Sequence, residues 1–170
     1  LLAARFGALE TVAFLLPFTD LEPTDLLSHA LESANPALVS WLSARTEKPH
    51  LCAVFFMHAA QKSDVELFKA LLMIPSGHSC EYARRAAGSM NQREMADVIL
   101  KRSPPEYKKH DANEIAVAAA KEGHLDLVEW VLREGDVFTI HLGIAHPAEA
   151  LVNICPDHKD VFLFLLQATQ

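Results

Sequence analysis

The residues in this chain that could do chemistry are its histidines and cysteines. His50-Leu51-Cys52 and His78-Ser79-Cys80 form two close pairs, and Cys155 stands just before Asp157-His158. A structural zinc site needs four Cys or His ligands brought to a tetrahedron. Each close pair instead straddles a turn or a helix start, and nothing nearby completes a ligand set. A thiol nucleophile needs a base and an orienting group assembled by the fold. Cys52, Cys80 and Cys155 each have a histidine within a few residues, but neighbours in sequence are rarely catalytic partners. No oxyanion turn and no glycine-rich phosphate loop is legible. His141 and His146 flank Gly143 and read as loop histidines. The sequence therefore assigns no catalytic, cofactor-binding or metal-binding residue and points away from an enzyme. The alternative is a cysteine-dependent enzyme or thiol sensor on an α-solenoid scaffold, which native thiol labelling would discriminate.

Composition narrows the partner. The chain has 170 residues, a formal net charge of −7 and 51% hydrophobic residues. An acidic chain does not suit phosphate backbones, so nucleic acid is not expected. Three scattered cysteines do not make a disulfide framework, and a reducing, cytoplasmic setting is the expectation. No apolar run is long enough to span a membrane. No small-molecule ligand is expected.

The elements that would position any site follow one pattern, clearest from Val117 to Gly135. Ala118, Ala119 and Ala120 favour a slim helix that neighbours can approach closely. Gly123 tolerates a tight turn. Leu125, Leu127, Val128, Val131 and Leu132 then recur at helical spacing, with Asp126, Glu129 and Arg133 on the other side. Asp126 offsets the positive helix end, and Gly135 is expected to close the helix in the left-handed conformation.

Weaker copies recur about every 30 residues, the period of a solenoid of helix pairs. Their turn anchors are Gly7, Ala34, Ser63, Asn91, Gly123 and Asp157. Three residues after these stand Glu10, Ala37, Glu66, Glu94, Asp126 and Asp160, and all but Ala37 are acidic, as a first helical turn prefers. Ser63 with Glu66 reads as a capping box. Asn35 reads as a cap, with Pro36 at the first helical position. No proline interrupts a proposed helix. Gly88 is the misfit: it sits inside a helix, which requires either a close neighbouring backbone or a different boundary. Trp41 and Trp130 occupy equivalent positions and read as packing residues, and Phe14, Phe55 and Phe56 as core.

The run Gly123-His124-Leu125-Asp126-Leu127-Val128-Glu129-Trp130-Val131-Leu132, followed by Gly135, resembles the second helix of an ankyrin repeat. Ala119-Ala120 resembles the paired alanines of that repeat's first helix. The family's Thr-Pro-Leu-His opening is absent, and the early spacings fall short of its roughly 33 residues. The resemblance implies divergent, short-fingered repeats that bind other proteins, with His124 bridging neighbouring repeats by a hydrogen bond. The fold expected is all-α: a single solenoid domain of about six helix-turn-helix repeats over 1–20, 21–48, 49–77, 78–108, 109–142 and 143–170. Apolar ends, closing on Phe162-Leu163-Phe164-Leu165-Leu166, suggest a longer array or a partner over one end. Lys101-Arg102 and Lys108-Lys109-His110 flank Ser103-Pro104-Pro105-Glu106-Tyr107, the most linker-like segment, with Tyr107 as an aromatic anchor. The function expected is a protein-protein interaction scaffold. Its exposed linker positions are Thr46, Glu47, Lys48, Ser76, His78, Tyr107, Lys108, Phe138, Thr139 and His141.

Overall fold

The computed structural model describes residues 1–33, 35–45, 53–73 and 79–136, together with His158, Asp160, Val161, Leu163 and Phe164. Among these residues the chain is 79% helical, with no strand. The helices come in consecutive pairs: α1 (Leu2–Arg5) with α2 (Leu9–Leu15), α3 (Pro23–Glu32) with α4 (Pro36–Ser43), and α5 (Ala53–Gln61) with α6 (Val65–Leu72). The pairs α7 (Ser79–Ser89) with α8 (Arg93–Arg102) and α9 (Pro105–Lys121) with α10 (Leu125–Glu134) follow. The chain divides into two compact units, Leu1–Ala83 and Arg84–Gln170.

Four of the anticipated anchors adopt one turn. Gly7, Ser63, Asn91 and Gly123 all have positive φ, between 53° and 79°. In each, the anchor N–H bonds the carbonyl three residues back and the next N–H bonds the carbonyl five back. The bonds are Gly7 to Ala4 with Ala8 to Ala3, Ser63 to Ala60 with Asp64 to Ala59, Asn91 to Gly88 with Gln92 to Ala87, and Gly123 to Ala120 with His124 to Ala119. This is the Schellman motif, in which a left-handed residue satisfies carbonyls stranded at a helix end. The residue after the anchor then serves as N-cap of the next helix: Ala8, Asp64, Gln92 and His124. Asn35 is the N-cap of α4, and its Oδ1 accepts from the Ala37 and Leu38 N–H groups as expected, with Pro36 first in the helix.

The turn geometry corrects two expectations. Ser63 is not a helix cap. It holds the left-handed position, and Asp64 caps α6 by accepting the Leu67 N–H at 2.9 Å, while Glu66 pairs with Lys69. The reciprocal box forms instead at α3, between Glu22 and Asp25. Gly135 is right-handed (φ −79°), and Asp136 takes the left-handed position at φ +53°, because the helical conformation runs one residue further.

In the first unit α1 packs on α3, and α4 packs on α6. The core there is built from Leu27, Leu31, Leu38, Leu42, Leu67 and Leu71, and from Phe56 set edge-on to Phe68 at 5.4 Å between ring centres. Phe14 departs from the core reading. Val12 carries the buried stripe of α2, and Phe14 is 70% exposed beside Phe18. In the second unit α8 packs on α9 and α10. Ala86 and Ala87 of α7 are fully buried, as are Ala112, Ala116 and Ala119 of α9. Small side chains of this kind let helix backbones approach closely.

Gly88 finds its reason here. A Cβ built at this position would lie 2.5 Å from the Ile115 carbonyl oxygen and 2.7 Å from the Ala118 Cβ. The close approach of α7 and α9 leaves room only for hydrogen.

The segment expected as a linker, residues 101–110, is mostly helix. Pro105 opens α9, Glu106 supplies first-turn negative charge, and the helix runs for 17 residues in all. The proposed boundary at 108/109 therefore falls inside α9. This first helix is also longer than the short first helices expected. The connection from α8 is just Ser103 and Pro104.

Candidate functional site

Tyr107 and Lys108 are the two expected contact residues that lie among the described residues. Both stand on the first turn of α9 rather than in a loop. Tyr107 is 57% exposed and Lys108 half-buried. Lys101, Arg102, Lys109 and His110 are exposed around them, which makes the elbow between α8 and α9 basic on an acidic chain. Lys101 pairs with Asp97 at 2.6 Å, and Lys109 lies 3.6 Å from Asp136. Thr46, Glu47, Lys48, Ser76, His78, Phe138, Thr139 and His141 lie outside the described residues.

Beneath the elbow is a polar cluster that sequence reading missed. Asp111 is buried on α9 and accepts a charge-assisted bond from Arg84 at 2.6 Å. Their side chains are 11% and 14% exposed. The Ser103 hydroxyl touches the other Asp111 oxygen and lies 2.8 Å from the Ile99 carbonyl. Arg84 Nε is buried without a partner. A signal was present: Asp111 precedes Ile115 by four residues, so helical spacing puts a carboxylate on the buried stripe. Reading the segment as a linker hid that spacing.

The turns supply a second set of contacts, each inside its own unit. Asn35 Nδ2 donates to the Gly7 carbonyl at 2.6 Å, tying the cap of α4 to the previous turn. His124, the N-cap of α10, places Nε2 3.1 Å from the Ser89 carbonyl at the end of α7. A carbonyl only accepts, so this nitrogen carries the hydrogen. The expected bridge from His124 to a neighbouring pair is thus present. The His158 imidazole packs against Gly123.

Family models, curated proteins and solved structures were compared with the chain, and none matches.

Each tryptophan lies under an arginine, but the arginines come from different places and the rings differ in burial. Arg45 stacks over half-exposed Trp41 at 3.9 Å, and Arg93 over buried Trp130 at 4.7 Å. Cys80, on the first turn of α7, is exposed, while Cys52 and Cys155 lie outside the described residues. Among the described residues no three His, Cys, Asp or Glu side chains are grouped to hold a metal ion. No described helix is long and apolar enough to cross a membrane.

Proposed function

We propose that the chain is a protein-binding module, a solenoid of about six ankyrin-like helix pairs that engages a partner protein through its connectors and first helices. The observation that carries this reading is the repeated turn. The same two hydrogen bonds recur at Gly7, Ser63, Asn91 and Gly123, and cap residues such as Asn35 and His124 reach the pair before them. Pairs tied only to their neighbours build an extended surface instead of a central pocket. The elbow around Tyr107 belongs to such a surface: an exposed aromatic with cations beside it, standing on a rigid helix.

The test is capture of a partner by the intact chain, followed by Tyr107→Ala and Lys108→Ala. The pair of changes is expected to weaken binding about tenfold, and Tm should hold because Tyr107 buries little. A fall in Tm with binding retained would remove the elbow from the interface. The rival cysteine-based reading draws on exposed Cys80. Slow labelling of Cys52, Cys80 and Cys155 alike in the native protein would dispose of it.

A further inference from the structure

The junction between α8 and α9 has the features of a modification site. Ser103 and Pro104 are extended, with φ −66°, ψ 131° and φ −55°, ψ 149°. Lys101 and Arg102 precede them and Pro105 follows, all exposed. A serine followed by proline in extended backbone is what a proline-directed protein kinase reads. The Ser103 hydroxyl is turned inward, onto Asp111 and the Ile99 carbonyl.

We propose that Ser103 is a phosphoacceptor and that its modification opens the α8–α9 junction. The kinase transfers the γ-phosphoryl group of ATP. A P–O bond forms at Ser103 Oγ, the bond from the γ-phosphorus to the bridging oxygen breaks, ADP leaves, and the hydroxyl proton passes to the kinase's base. The hydroxyl that donated toward Asp111 becomes a phosphoester carrying about −1.5 to −2 charges at pH 7. It then faces a carboxylate that is 11% exposed, where like charges repel strongly. Arg84 already bonds Asp111 and has an unpartnered Nε, but it carries only one positive charge, so it cannot balance both anions. Whichever anion keeps Arg84, the contact between Ser103 and Asp111 is lost. The first turn of α9, with Tyr107 and Lys108, then loses its tie to the end of α8.

The hydroxyl is half-buried, so the kinase acts on a junction that has swung out locally, and the phosphate prevents it from closing again. This requires only local opening at two helix ends.

The experiment treats the full chain with a proline-directed kinase and ATP under native conditions. Mass spectrometry locates the phosphate, and amide hydrogen exchange is followed across residues 99–112. Phosphate is expected on Ser103. Exchange in this segment should rise about tenfold in the phosphorylated chain and in Ser103→Glu, and much less in Ser103→Ala. The effect of Ser103→Glu should shrink in an Asp111→Asn background, because the opposing charge is gone. Absence of phosphate at Ser103 would overturn the proposal. So would equal effects of alanine and glutamate, or an effect of glutamate that Asp111→Asn leaves unchanged. None of these readouts involves a partner, so they stand or fall apart from the binding reading.

Discussion

Two residues set the tolerance of the second unit. Gly88 faces backbone atoms of α9, which cannot move aside as a flexible side chain could. Gly88→Ala is expected to destabilise by about 1–3 kcal/mol, because separating two packed helices outweighs alanine's gain in helix propensity of about 1 kcal/mol. Urea denaturation followed by circular dichroism would measure it. Asp111 is the other. Asp111→Ala leaves Arg84 as a largely buried cation with no carboxylate, at a cost of about 3 kcal/mol. Arg84→Met in the same background should recover part of that loss, since it removes the stranded charge while keeping the bulk. If the single change proves neutral, water already satisfies Arg84.

The recurring element is the turn, and three of the described left-handed positions are not glycine. Ser63, Asn91 and Asp136 hold φ between 53° and 54°. Serine lacks asparagine's ease in this region, so Ser63→Gly should stabilise by about 0.5–1 kcal/mol and Asn91→Gly by less, as differential scanning calorimetry would report. The turns were legible because their backbone demand falls on few residue types. Glycine, asparagine and serine after paired alanines mark the left-handed position whatever surrounds them. Caps were legible where an oxygen-bearing side chain stands beside a proline, as at Asn35-Pro36. The cap of α6 was misplaced by one residue because Ser63 and Asp64 are both good capping residues, and only the backbone angle separates them. The start of α9 was hidden for a different reason. Two prolines and a run of cations read as a linker, although proline suits the first helical position as well as a loop. With that helix unseen, the Ser103–Asp111–Arg84 cluster could not be anticipated. Pairing between side chains 27 residues apart leaves no mark in local sequence.

At the scale of the whole molecule, burial is uneven. Leu2, Phe6, Phe14 and Phe18, all in the first unit, are each at least 70% exposed. Exposed apolar surface of this kind attracts dyes and partners. Phe14→Ser with Phe18→Ser is expected to lower binding of a hydrophobic fluorescent dye and to leave Tm within a degree or two, since exposed rings contribute little to folding. A large fall in Tm would show that these rings are covered in solution. The left-handed turns carry a consequence on this scale as well. Each non-glycine anchor is a backbone preference overruled by its surroundings, repeated along the chain. The protein thus stands short of the robustness its own architecture permits. Regularising those few positions should yield a hardier version with the buried core unaltered.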